Sequence, residues 1–199
     1  MKHFFLIAVI LMLFSAGSLA QAKKIESIYT DLTVQTCKEL ESAREDGILY
    51  RGECKGVSGY KLIVLESDLR QSLNFVGRNG FETELNLWLT ITAPQYSYLG
   101  KKAEWRVVRK GKKVRPIALI LRFNAYENPN NPEKAESYLV VVSIETDYAC
   151  ITNVVKPMKN QNVKARELAD AGKPCLSVAD DWRSPSYVEE FSDTFTRIF

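Results

Sequence analysis

Histidine is all but missing from this sequence. Its single occurrence, His3, lies in an N-terminal stretch that carries the marks of a cleaved export signal. Without an imidazole, Ser-His-Asp and Cys-His nucleophilic catalysis lose their base. Zinc, copper and non-haem iron sites of the His-ligated kind lose their ligand. The chain also has no close Cys-x-x-Cys pair, no glycine-rich phosphate loop and no calcium-loop motif, so nothing in it calls for a metal or a cofactor. A strong excess of either charge is lacking too: 27 Lys and Arg face 24 Asp and Glu, and Lys2 belongs to the export stretch. That balance argues against a nucleic-acid partner, which usually meets a marked basic excess. No apolar run reaches the ~20 residues of a membrane-spanning helix.

The start of the chain has the build of a secretory signal. Lys2 and His3 are followed by the apolar run Phe4 to Phe14 and then by the small-x-small sequence Ser18-Leu19-Ala20. Cleavage is expected after Ala20, with Gln21 rather than a cysteine at the new N-terminus, so a lipid anchor there is not expected. The domain plan is therefore a signal peptide over 1–20 and a single disulfide-stabilised, β-rich domain over 21–199, placed in the periplasm or secreted. Cys37, Cys54, Cys150 and Cys175 make an even set, which in an exported chain reads as two disulfides with three possible connectivities. The sequential pairing, Cys37–Cys54 and Cys150–Cys175, is expected because each bridge closes a local loop with a turn signal inside. Bridges of this size contribute roughly 3 kcal/mol each on the chain-entropy estimate.

The rest builds outward from Cys37 to Phe75, where Asp46-Gly47 and Gly56-Val57-Ser58-Gly59 punctuate strands and lead into Tyr60 to Leu65. Further strands are expected at 25–29, 48–54, 71–76 and 85–89, the last two separated by the Asn79-Gly80 hairpin signal. Pro94 closes that part, and Tyr96 to Gly100 reads as an aromatic loop. A second hairpin spans 104–109 and 114–124, and Ser137 to Ile144 is another apolar strand. Ile117 to Leu121 is apolar at every position, so burial on both faces is expected. Thr33 to Arg44 stays open between helix and extended chain. Asn162 is placed to cap a helix from Val163 to Ala171, stopped by Gly172 and Pro174. Tyr187, Phe191, Phe195 and Phe199 recur every four residues as a helical stripe. The fold class is α+β and β-rich: a curved or sandwiched antiparallel sheet of about seven strands, with late helices.

Tyr29-Thr30-Asp31-Leu32, Cys37, Cys54-Lys55-Gly56, Gly59-Tyr60-Lys61-Leu62, Asp68, Arg70 and Lys102-Ala103-Glu104-Trp105-Arg106 together give a pattern that resembles a group of small exported proteobacterial proteins. The resemblance spans most of the chain up to Cys175 and implies a bacterial periplasmic location rather than an activity. In being small, exported, disulfide-bearing and β-rich the chain is also similar to periplasmic lysozyme inhibitors, although no inhibitor motif matches residue by residue.

Three groups of residues stand out as sites. Arg106, Arg109, Lys110, Lys112, Lys113 and Arg115 crowd one hairpin without an acidic residue, a tip suited to an anionic envelope component or an acidic protein. Its plainer reading is a solvated hairpin whose lysines discourage edge-to-edge pairing. Asp68 and Arg70 form an acid–arginine pair able to orient a ligand carboxylate or phosphate, or simply to fix a turn. Tyr96 and Tyr98, with Trp88 and Trp105 flanking them, suggest an aromatic platform, or else packing at strand spacing. Trp182 reads as packing of the C-terminal segment. The expected function is a non-catalytic periplasmic or secreted binding protein, an inhibitor or envelope accessory factor. The rivals are a carboxylate-based hydrolase of cell-wall or polysaccharide substrate, which needs two carboxylates across a cleft, and an apolar-ligand carrier, which needs a cavity.

Overall fold

Alternating apolar residues bounded by tight turns produce ten strands and one helix in a computed structural model that describes residues 24–43, 49–87, 91, 96–126, 131 and 133–175. The strands are β1 (Ile25–Asp31), β2 (Lys38–Ala43), β3 (Leu49–Lys55), β4 (Lys61–Ser67), β5 (Arg70–Val76), β6 (Glu82–Glu84), β7 (Tyr96–Lys110), β8 (Lys113–Tyr126), β9 (Glu136–Ile144) and β10 (Ala149–Val155). The helix, α1, is Gln161–Ala171. The signal peptide, Asp46-Gly47, Trp88, Pro94, Trp182 and the Tyr187-to-Phe199 stripe lie outside the described residues.

All strands belong to one sheet ordered β10-β9-β8-β7-β5-β4-β3-β2, with β6 on β5 and β1 on β7. Two meanders meet at a single parallel pair, Arg70 opposite Ser97. Beyond it the same edge of β7 is taken by β1, antiparallel from Lys102 to Val108. The sheet curls so that both meanders share one core. Leu62, Val64, Leu73 and Phe75 come from one side, and Trp105, Val107, Leu119, Leu121, Phe123, Val140 and Val142 from the other. Trp105 is fully buried against Tyr60 and Phe75, and its indole N–H donates to Thr30 Oγ1 at 3.0 Å, so the ring's one polar atom is satisfied. The far turns close the curl: Tyr60 Oη donates to the Thr146 carbonyl at 3.1 Å, and Ser58 Oγ to the Val114 carbonyl at 2.7 Å. At Gly77 a side chain would meet the Asp147 carbonyl at 2.4 Å, so only glycine lets these turns approach.

The every-position apolar run of β8 is explained by a second core. Ala118 and Ile120, with Leu139, Val141 and Val155, pack under Ala165 and Ala169 of α1, while Leu119 and Leu121 point into the curl. Both disulfides form with the sequential pairing, Cys37–Cys54 and Cys150–Cys175.

Several expectations change. The sheet has ten strands rather than about seven and is mixed, because β2, β6 and β10 carry too little periodic signal to be seen and the meanders join in parallel. Leu85 and Leu87 are buried but are not a strand: the Ile91 N–H donates to the Leu87 carbonyl four residues back, a helical bond. Tyr96 to Gly100 is the beginning of β7 rather than a loop. The helix starts earlier than predicted, with Asn160 rather than Asn162 at its N-cap. Gly172, left-handed at φ 65°, ends it as expected.

Candidate functional site

The corner where the meanders meet carries an open cleft of about 470 Å³, lined by Glu66, Leu69, Gln71, Tyr96, Ser97, Tyr98, Tyr126 and Glu133. Its floor follows from strand alternation. Ser97 and Leu99 of β7 turn inward and are buried, which forces Tyr96 and Tyr98 outward, 46% and 43% exposed. Tyr126 of β8 is the direct cross-strand partner of Tyr96, and its ring centroid lies 6.1 Å from that of Tyr98 at 44°.

One wall is the β4–β5 turn, a two-residue loop closed by the Ser67–Arg70 pair. Asp68 and Leu69 both sit at positive φ, 48° and 59°. This is the type I′ requirement, normally met by Asn-Gly, and a leucine there is strained by roughly 1–2 kcal/mol. Leu69 is nonetheless half exposed, presenting its side chain to the cleft, while its carbonyl accepts from the Ser97 N–H at 3.1 Å. Arg70 Nη1 donates to Asp68 Oδ2 at 2.6 Å. Gln71 ties the wall to the floor: its Oε1 accepts from the Leu99 N–H at 2.8 Å, and its Nε2 donates to Glu66 Oε2 at 2.6 Å.

Two of the three groups singled out in the sequence, Asp68 with Arg70 and Tyr96 with Tyr98, thus come together. Sequence reasoning missed Glu66, Leu69, Gln71, Tyr126 and Glu133. The signal for Tyr126 was hairpin register, but counting outward from the Lys110–Lys113 turn pair sets Tyr96 opposite Glu127. Bulges beside Pro116 and near Gly100 shift the pairing onto Tyr126. A one-residue slip changes the face of every side chain, so the count alone misleads.

Trp105 does not join this platform, being buried in the core, and Trp88 lies outside the described residues. The basic hairpin sits at the opposite end of β7, roughly 45 Å along the strand at ~3.3 Å per residue. Lys110, Lys112, Lys113 and Arg115 are exposed around Gly111, whose φ of 58° at the first central position suits a type II′ turn. Arg109 bonds Glu26 at 3.0 Å.

Arg106 is withdrawn from the tip altogether. Its guanidinium, 9% exposed, makes a two-pronged contact with Asp170 of α1 at 2.7 and 2.6 Å and also donates to Ser27. Beside it, Arg166 grips Glu104 at 2.6 and 3.1 Å, and Ser27 donates to the same carboxylate at 2.6 Å. Burial alone would push the Glu104 carboxyl up. Donation from Arg166 and Ser27, with the charges of Arg166 and Arg106, reverses that and holds it below its ordinary 4.5. Donation to Asp170 raises Arg106 despite burial. These charges clasp the helix to the sheet.

Among the described residues no group of three or more His, Cys, Asp or Glu could hold a metal ion, and no helix is long and apolar enough to cross a membrane. No protein-family model, no curated protein and no solved structure matches the chain.

Proposed function

We propose that the chain is a non-catalytic binding protein of the bacterial periplasm or secreted fraction, and that it binds through the tyrosine cleft. The observation that carries this reading is Leu69. A leucine held in the left-handed region and half exposed beside two exposed tyrosines carries backbone strain that glycine would avoid. Strain kept at a surface where aromatic side chains converge is the mark of a contact site. Tyrosines supply contact area with few rotamers to freeze, and the curled, disulfide-pinned sheet behind them needs no reorganisation on binding. The export signal and the two disulfides support the extracytoplasmic location.

Glu66 and Glu133 in the same cleft keep the carboxylate hydrolase as the second reading. A general acid needs an environment that holds its proton, and this cleft is open to solvent.

The test is affinity capture from native envelope extract on the oxidised protein obtained by export of the full chain. Parallel baits carry Tyr96→Leu with Tyr98→Leu, or Lys110, Lys112 and Lys113 changed to Glu. Retention of a component that survives the lysine reversals and is lost with the tyrosine changes is the expected result. The opposite pattern would move the site to the basic hairpin. Polysaccharide cleavage abolished by Glu66→Gln or Glu133→Gln would establish the hydrolase instead.

A further inference from the structure

The chemistry of the cleft also narrows what it binds. We infer that it takes an organic cation, an alkylammonium or guanidinium group, a step that rests on the cleft being the binding site. Three features point the same way. First, Tyr98 and Tyr126 stand 6.1 Å apart at 44°, with Tyr96 directly across from Tyr126. At that distance the two rings pack on each other as a tilted pair, so a ligand meets their outer faces rather than a gap between them. The negative faces of such rings attract a cation.

Second, the formal charge of the lining is negative. Among the described residues, Glu66 and Glu133 line the cleft, no lysine or arginine does, and neither glutamate forms an ion pair. The cations nearest in sequence are already matched: Arg70 by Asp68 at 2.6 Å, and Lys134 by Glu136 at 3.3 Å. An anionic ligand would meet two uncompensated carboxylates, whereas a cation would be drawn in by them. Third, Tyr96 and Tyr98 are 46% and 43% exposed. Their rings are open to a ligand from solvent without any rearrangement of the core. Elsewhere this fold already places a guanidinium on a tyrosine face, Arg78 over Tyr60 at 5.2 Å.

The shared chemistry has two sources, a free amine and a lysine- or arginine-bearing segment of a partner. The experiment is a calorimetric titration of the oxidised protein with four probes: choline, its neutral isostere 3,3-dimethylbutan-1-ol, trilysine and cellotriose. Choline or trilysine is expected to bind saturably, about two- to fivefold tighter than the neutral isostere, since one cation–aromatic contact at an exposed site is worth about that factor. Preference for choline assigns the free amine, and preference for trilysine assigns the protein segment. Binding should be lost in Tyr98→Leu and weakened in Glu66→Gln, with melting temperatures checked to show that both variants fold. Equal binding of choline and the isostere overturns the inference, as does binding of cellotriose alone. If no cation binds while tyrosine-dependent capture from envelope extract persists, the cation is refuted and the binding cleft stands. Loss of both refutes the cleft as well.

Discussion

Removing Asp170 separates the two roles Arg106 has been given, clasp and ligand contact. In Asp170→Ala the Arg106 side chain, 9% exposed when the pair is intact, loses both prongs of its contact. Hydrogen bonds to charged groups are worth about 1.5–3 kcal/mol each, which sets an upper limit of roughly 3–6 kcal/mol. Arg106 keeps Ser27 and the Glu104 carboxylate at 3.6 Å, and Asp170 is itself 29% exposed, so solvent screens part of the pair. The expected loss is therefore about 2–3 kcal/mol, or roughly 5–10 °C in Tm for a domain of this size. Arg106→Met should cost less than Asp170→Ala, since it leaves no stranded charge in the sheet. The double variant should cost little more than the worse single one, giving a coupling of about 1–2 kcal/mol. Urea unfolding of the oxidised protein followed by far-UV circular dichroism measures all four corners of the cycle. Hydrogen exchange should show the loss first in the amides of α1. A coupling under about 0.5 kcal/mol would refute the clasp, because a two-pronged charge-assisted contact must appear as non-additivity in the cycle.

Glu104 is held below its ordinary 4.5, so its contribution is present above that pH and is lost as pH falls below it. Acid unfolding should therefore steepen below about pH 4.5, and Glu104→Gln, less stable at neutral pH, should flatten that limb. Leu69→Gly relieves a left-handed leucine at some entropic cost, for a net gain of about 0.5–1 kcal/mol in urea. The same change should weaken retention of the cleft's ligand. Replacing Cys37 and Cys54 with serine should cost roughly 3 kcal/mol by chain entropy, read from the urea midpoint. Reversing Lys110, Lys112 and Lys113 to Glu should leave stability within about 0.5 kcal/mol, since all three are exposed.

What the sequence by itself determined was everything that depends on neighbours along the chain. Alternation and turn residues announced β4, β5, β8 and β9, and the every-position apolar run of β8 announced that both its faces are covered. Gly172 marked the end of the helix, and the spacing of the cysteines marked both bridges. Asp68, Arg70, Tyr96 and Tyr98 were visible as residue types out of keeping with a core. Tertiary structure alone decided what these became. The same period-two pattern that made β7 was used at Leu85 and Leu87 to bury side chains without a strand, because burial rewards apolar area whatever the backbone does. Arg106 looked like one more basic residue of the hairpin until Asp170, 64 residues away, came to lie over it. The cleft needed one parallel contact, Arg70 with Ser97, and two bulges that bring Tyr126 across from Tyr96. Those are long-range events, set by how a twisted sheet closes on its core, and a bulge of one residue changes which side chains share a face.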